Sequence, residues 1–378
     1  MRRSTRLSVG AGVVLGLSTL FSPLTAGAAG LGSSDAHAVF VQTNDTSGNQ
    51  IVVYRRGAHG ELSFAARYNT GGLGVALTGA VVDKLASQGS LAYDSTEHAL
   101  IAVNGGSNSI TEFHVDGTRL DDPRSVASGG TTPVSVTVIG NRVYVLNAGG
   151  TGSVQGFYVH TLHPIRGTAR NLNLAPGLTP QFLNTPGQIG LTPDGSHLIV
   201  TTKANGSDID VFSVSPDGAL SASPTVNPSA TPVPFGFTFN PAGDLVVAEA
   251  GTSALTTYAI RANGSVTEMG SVTNGLAALC WVAKAGDHYF GANAGSATIT
   301  GYSIGAAGAP TIVSQTATDA GTIDLAATPD GSALYVETGG ADVVDAFSVG
   351  HDGSLTFTGS SVAPELPGHS GLEGIAVS

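Results

Sequence analysis

Apolar and polar residues alternate in short runs along almost the whole chain, the period of strands that bury one face. Between the runs stand Asp-Gly and Asn-Gly pairs: Asp116-Gly117, Asp194-Gly195, Asp217-Gly218, Asn263-Gly264, Asp330-Gly331 and Asp352-Gly353. Such pairs accept positive φ at low steric cost and make the tight turns of antiparallel hairpins. No long stretch carries the 3.6-residue period of an amphipathic helix.

The alternating runs recur with a period of roughly 45 to 50 residues, the range of propeller blades. Residues 188–203, 209–214 and 216–220 form one unit, with Thr192-Pro193-Asp194-Gly195 at its first turn. A second unit runs through 237–249 and 255–260, and a third through 325–337, 344–349 and 352–355. Each predicts a four-stranded antiparallel blade. Complete units begin near residues 87, 131, 186, 232, 277 and 321. Residues 38–43, 50–55 and 62–68 supply three further strands but no innermost one, while 373–378 reads as an innermost strand with nothing after it. Pairing the two predicts an all-β, seven-bladed propeller over residues 37–378, its ring closed by the C-terminal strand. Closure has a physical reason: an open ring would leave two strand edges exposed.

The first residues have a different pattern. Arg2, Arg3 and Arg6 precede an apolar stretch from Leu7 to Leu24, broken by Ser18, Ser22 and Pro23, and then small residues up to Gly30. That is the layout of a secretory signal over residues 1–29, cleaved after Ala28 or Ala29, with a short linker at 30–36. It predicts a secreted protein with no membrane span, exported by either the general or the twin-arginine route.

Charge narrows the partners. The formal charge is −12, and −15 once the three signal arginines are gone. An acidic chain without a basic patch excludes nucleic acid and is a poor match for anionic membrane surfaces. The expected partner is a small molecule or a carbohydrate, and the expected state is a monomer. Cys280 is the sole cysteine, so no internal disulfide forms, and its neighbours Leu279 and Trp281 mark it as a buried thiol.

With the blades laid out, the chain resembles the lactonase-like seven-bladed propeller family that includes 6-phosphogluconolactonase and carboxymuconate-lactonising enzymes, in its exported bacterial branch with YVTN-type repeats. The matching motifs are 143–149 (Val-Tyr-Val-Leu-Asn-Ala-Gly), 334–339 (Leu-Tyr-Val-Glu-Thr-Gly) and the Pro-Asp-Gly turns. The resemblance implies a lactone hydrolase or related lyase. In that family one innermost strand opens Gly-Pro-Arg-His and the next strand of the blade ends in glutamate. Here the stretch is Val233-Pro234-Phe235-Gly236, so Phe and Gly replace Arg and His, and the glutamate stands as Glu249.

Propellers place function around the channel mouth, where loops enter innermost strands and leave second strands. The second-strand exits are Asn44, Asn104, Asn147, Lys203, Glu249, Asn293 and Glu337; the starts of innermost strands add Gln88, Gln188, Phe235, Asp324 and Glu373. Asparagines before glycine also cap turns through their own backbone. Glu249 or Asp324 suits a general base on water attacking a lactone, with Lys203 stabilising the oxyanion. No cofactor is expected. No motif specifies a metal, although the carboxylates and amides would also suit Ca²⁺ or Mg²⁺. Two long loops that lead into innermost strands, 71–89 and 172–186, are expected to rim the mouth.

Other motifs carry less. His160 and His163 have metal-like spacing but no third ligand, the Gly368-His369-Ser370-Gly371 run lacks a nucleophile elbow's context, and His98, His197 and His351 are expected in turns. Lactone hydrolysis, a non-catalytic binding propeller for a carbohydrate, peptide or cell-surface partner, and a structural propeller therefore stay open.

Overall fold

The computed structural model describes residues 37–362 and 372–378. The signal and linker readings, and the motif at 368–371, lie outside the described residues. Seven four-stranded antiparallel sheets make up the fold. Blades 2 to 7 open with the innermost strands Leu91–Asp94, Pro133–Ile139, Gln188–Leu191, Pro234–Phe239, Leu279–Ala285 and Thr322–Ala327. Innermost strands of successive blades touch all the way round, so the ring is closed.

Closure happens in blade 1. Gly374–Val377 pairs antiparallel with Ala38–Gln42, which in turn pairs with Gln50–Arg56 and then Leu62–Asn69. Ser378 N donates to Ala38 O at 3.0 Å, and Ala38 N donates to Ser378 Oγ at 2.8 Å. Ile375 then buries itself among Val39, Val41, Tyr54, Tyr335 and Val344, so one apolar cluster spans blades 7 and 1.

The turn chemistry is as the pairs predict. All six glycines of the Asp-Gly and Asn-Gly pairs have positive φ, from 58° to 88°. In four of the turns the Asp or Asn Oδ1 accepts the amide two residues on, at Ser196, Ser265, Ser332 and Ser354, each at 3.0 Å. A side chain thereby stands in for a backbone acceptor and fixes the turn. His98 and His351 do lie in turns, but His197 opens the second strand of blade 4, where the Thr192 hydroxyl receives its amide.

Blade 3 departs from the pattern. Its outermost strand is only Arg170–Asn171, and the chain then runs through the long loop that leads into blade 4, which carries the one-turn helix Gln181–Asn184. That shortening frees 172–186 to reach over the mouth. His160, just upstream, bridges two carboxylates, Glu97 at 3.1 Å and Glu112 at 3.2 Å, and so ties blade 3 to blade 2. Among the described residues no cluster of three or more His, Cys, Asp or Glu could hold a metal ion.

Deleting residues 373–378 should remove the closing strand and the burial of Ile375, costing about 3–5 kcal/mol from lost apolar area and ladder hydrogen bonds. Thermal denaturation followed by circular dichroism checks it; a truncated chain that melts with the full-length protein refutes closure as a stabilising element.

Candidate functional site at the channel mouth

The second-strand exits divide into two groups. In blades 2, 5 and 6 the exit residue staples its blade to the crossover that precedes it. Asn104 receives the Thr70 hydroxyl at 2.6 Å and donates to Thr111 at 3.0 Å. Asn293 receives Asn274 Nδ2 at 2.6 Å and donates to Thr300 at 3.0 Å. Glu249 occupies the same slot, receiving Thr231 and Thr256 hydroxyls at 2.7 Å each, together with the Tyr258 hydroxyl. The threonine lies seven residues downstream in every case. Burial raises the Glu249 carboxyl pKa and the three hydroxyls pull it back. Glu249 thus has the geometry of a blade staple, its carboxylate held by its own blade and crossover.

Asn147 donates to Ser128 O at 3.3 Å and Asn44 closes a two-bond clamp on Val75, so both also hold connecting segments. Gln188 does the same between innermost strands, donating to Phe237 O at 3.1 Å and accepting Phe237 N at 2.6 Å.

The second group surrounds the axis, and the axis is filled by the chain itself. Residues 83–90 cross the mouth before entering blade 2. Lys84 N and Leu85 N donate to the two carboxylate oxygens of Glu373, the latter at 3.1 Å. Ala86 N and Ser87 N donate to the two oxygens of Asp83 at 2.5 and 3.0 Å, and Gly89 N donates to Asp324 at 3.2 Å. Gln88 N donates to Gly187 O, Gln88 Nε2 donates to Val282 O at 2.9 Å, and Gln88 Oε1 accepts Val282 N at 3.1 Å. Trp281 Nε1 donates to Ser87 O at 2.9 Å, and Ser87 Oγ donates to Val134 O at 2.7 Å. Val103 N of blade 2 donates to Ser90 O. With Gly236 beneath Gln88, every blade touches this segment.

Phe235 and Gly236 make that crossing possible. A Cβ on Gly236 would stand 1.9 Å from Gln88 Oε1 and 2.7 Å from Cys280 O, so only glycine leaves room for the glutamine. The Phe235 ring packs edge-on to Trp281 at 5.0 Å between centroids, with Lys203 Nζ 5.1 Å from its centre. Lys203, fully buried, donates to Ala86 O at 2.6 Å, Phe182 O at 2.5 Å and Thr185 Oγ1 at 3.0 Å. One ammonium therefore joins the 71–89 loop to the 172–186 loop.

Asp83, Asp324, Glu337 and Glu373 are buried together with this single lysine. Desolvation penalises every charged form. Burial lifts Asp324 to about 7, and lifts Glu337 and Glu373 well above the usual carboxyl range. It also raises Asp83. Lys203 is lowered to about 7 by burial, against the opposing pull of Asp83. Cys280 is pushed up to about 12 by the same burial, which leaves it an inert thiol. Glu337 keeps one oxygen on Gly374 N at 3.3 Å, and its other oxygen is buried without a partner.

The structure thus gathers Lys203, Asp324, Glu337, Glu373, Gln88 and Phe235 around the crossing segment. Asn44, Asn104, Asn147, Gln188, Glu249 and Asn293 hold blades and connections together instead. Asp83, Gly236 and Trp281 complete the arrangement and are not among the site residues expected from sequence. Gly236 nevertheless stands where the resembling family has histidine, and Asp83 lies in the 71–89 loop expected to rim the mouth. On the same face the 71–89 and 172–186 loops enclose a cleft of about 330 Å³, lined by Thr78, Leu178, Thr179, Pro180, Gln181 and Asn184 among others, with no charged side chain on its walls. A larger groove of about 670 Å³, with Asp194, His197 and Arg261 on its walls, lies at the turns of the opposite face.

Comparison with known proteins agrees with this architecture. The family described as lactonase, seven-bladed β-propeller, matches residues 143–280. No curated protein matches the chain. A Bacteroides fragilis protein, whose 6-phosphogluconolactonase assignment is itself provisional, has a TM-score of 0.69 at 17% identity, over 92% of this chain and 100% of that one. The periplasmic gluconolactonase of Pseudomonas aeruginosa has a TM-score of 0.64 at 17% identity, over 91% of this chain and 99% of that one. Virginiamycin B lyase from Staphylococcus aureus has a TM-score of 0.54 at 13% identity, over 75% of this chain and 86% of that one. The chain is therefore similar to the lactonase-like propellers in sequence over 143–280, and shares their fold.

If Glu249 is a staple, Glu249→Ala should lower unfolding free energy by about 2–4 kcal/mol, because the buried hydroxyls of Thr256 and Tyr258 and the half-buried one of Thr231 lose their acceptor. Glu249→Gln should cost only about 1 kcal/mol, since an amide oxygen still accepts. Urea denaturation of the two variants measures the difference; equal costs would contradict the staple.

Proposed function

We propose that this protein is an exported, lactonase-like propeller that binds a small uncharged molecule on its mouth face without chemical turnover. The observation that carries this reading is the 83–90 segment across the mouth. Its backbone occupies the amides, carboxylates and lysine that a reacting lactone would have to reach. The Arg and His that the family resemblance would require at 235 and 236 are absent, and the residues present pack the segment in place. Space remains beside the segment, in the cleft between the two long loops. Its walls offer hydroxyls, amides and small apolar groups, a lining that suits a neutral polar ring such as a sugar better than an ion.

A second reading, lactone hydrolysis, is favoured by one observation. Asp324 and Lys203 are both brought to about 7, where a general base and its acid partner work best. That reading needs the segment to withdraw and admit both water and substrate.

Wild-type protein should hydrolyse glucono-1,5-lactone and 6-phosphoglucono-1,5-lactone no faster than buffer, measured by pH-indicator assay. Turnover that Asp324→Asn removes would replace the binding reading by the hydrolytic one. Neutral monosaccharides and disaccharides at millimolar concentration should raise Tm in a thermal-shift screen, and gluconate should not. No shift with any neutral ligand refutes the cleft's assignment. Intact mass of the secreted protein should place the mature N-terminus at Ala29 or Gly30; retention of residues 1–28 would refute cleavage.

A further inference from the structure

Four Asn-Gly pairs stand among the described residues, at Asn104-Gly105, Asn205-Gly206, Asn263-Gly264 and Asn274-Gly275. Glycine has no Cβ to shield its amide nitrogen, so that nitrogen is open to attack the side-chain carbonyl of the asparagine before it. The fold treats the four pairs differently. Asn104, Asn205 and Asn274 are buried, and their Nδ2 atoms are engaged. Asn104 donates to Thr111 at 3.0 Å, Asn205 to Ala175 O and Asn184 O at 2.9 Å each, and Asn274 to Asn293 at 2.6 Å. Loss of that nitrogen as ammonia would leave buried acceptors unpaired.

Asn263 is exposed, and its Nδ2 donates to no protein group among the described residues. Its Oδ1 accepts the Ser265 amide at 3.0 Å and the Ser265 hydroxyl at 2.8 Å. Two donors on one oxygen draw electrons from Cγ and stabilise the negative charge that builds there when a nucleophile adds. Packing holds the glycine in place: Gly264 has a φ of 81°, and a Cβ on it would stand 2.9 Å from Thr225 Oγ1.

We propose that Asn263 is a site of spontaneous modification, where the side chain closes on Gly264 and reopens as a mixture of aspartyl and isoaspartyl residues. The turn first gives up the bond from Gly264 N to Arg261 O. Gly264 N then bonds to Asn263 Cγ and loses its proton to solvent. The Cγ–Nδ2 bond breaks, and Nδ2 takes up a proton and leaves as ammonia. Water adds to one of the two carbonyls of the resulting succinimide. Addition at Cγ breaks its bond to Gly264 N and leaves aspartate in an ordinary backbone. Addition at the Asn263 backbone carbonyl breaks the other bond to Gly264 N and routes the chain through Cγ, one atom longer. The site concerns the fold and not a ligand, so it does not depend on the binding reading.

The two products differ in effect. Aspartate at 263 reproduces the turns of Asp194, Asp330 and Asp352, whose carboxylates take the amide two residues on at 3.0 Å. The isoaspartyl form lengthens a turn that blade 4 grips. Thr225 Oγ1 donates to Asn263 O at 3.0 Å, Asn227 Nδ2 donates to Gly264 O at 3.1 Å, and Val266 N donates to Asn227 Oδ1 at 3.0 Å. Displacing those partners loosens the joint between blades 4 and 5.

The full-length mature protein, held folded at pH 8 and 37 °C beside a sample unfolded in guanidinium, tests the site. Peptide mapping by mass spectrometry follows each asparagine, and retention separates isoaspartyl from aspartyl peptides. Each folded rate is divided by the rate of the same pair in the unfolded chain. That ratio should be at least tenfold larger for Asn263 than for Asn104, Asn205 or Asn274. Equal ratios overturn the proposal, as does an Asn263 that outlasts any of the buried three. Wild-type Tm should fall as isoaspartyl accumulates, while that of Asn263→Asp, held in the same way, should stay level. Equal falls in the two proteins overturn the loosening of the joint.

Discussion

A propeller is stable only as a closed ring, and here closure rests on four residues at the end of the chain. Gly374–Val377 lies beside Ala38–Gln42 and supplies the seventh innermost strand. Once the ring is shut, seven innermost strands surround an axis, and their ends bring polar backbone and ionisable side chains close together. The residue that precedes the closing strand is Glu373. Its carboxylate is therefore delivered to the mouth by the same contact that closes the fold, and there it takes the amides of Lys84 and Leu85. Ring closure and mouth closure share one element.

Filling the mouth solves a packing problem and creates an electrostatic one. Water in a channel would solvate Asp324, Glu337 and Glu373, whereas the 83–90 segment replaces it with backbone amides. Those amides are good partners for carboxylates but bring no full positive charge. Lys203 is the one buried cation available among the described residues, and its three bonds go to oxygens of the 71–89 and 172–186 loops rather than to a carboxylate. Protons have to make up the difference, which is why the acids are shifted upward. The partnerless oxygen of Glu337 has the same origin: a protonated carboxyl can stay buried where an ionised one could not.

Architecture was legible in the sequence because it follows from local chemistry. The six glycines in Asp-Gly and Asn-Gly pairs all adopt the positive φ that the pairs imply, and strand alternation sets which face of each blade is buried. The missing innermost strand and the orphan strand at 374–377 could be matched by counting alone. The site was legible only in part. Strand ends placed Asn104, Glu249, Asn293, Lys203 and Glu337 at the mouth, but not the direction each side chain takes. Direction depends on pairing: Glu249 lies opposite Ala254, and its oxygens meet Thr256 on the same face of the blade. Glu337 sits one residue before the equivalent strand position, held by Thr338, and so turns to the other face, towards Gly374. A one-residue offset reverses the face of a strand, and motif alignment does not reveal it. The path of residues 83–89 was hidden for another reason. A loop's route across seven blades is a tertiary fact, and the amides of Lys84 and Leu85 find their acceptor only in Glu373, 289 and 288 positions later in the chain.

The mouth also shows why shifted acidities need geometry beside them before they imply catalysis. Buried acids and a lysine brought to about 7 form the pattern by which active sites are sought. Here each shift has a structural cause that requires no substrate: burial, with Glu373 and Asp324 accepting amides of a segment of the same chain, Asp83 lying within that segment, and Glu337 accepting Gly374 N. What separates a reactive group from a fastening group is a free face towards which a reacting atom could move. Asp324 offers one oxygen to Gly89 N and the other to Leu325 N, so both of its oxygens are engaged while the segment stays down. Chemistry at Asp324 would have to begin with the loss of the Gly89 bond. For this chain, reactivity and the position of residues 83–89 are one question, and the segment answers it before any side chain does.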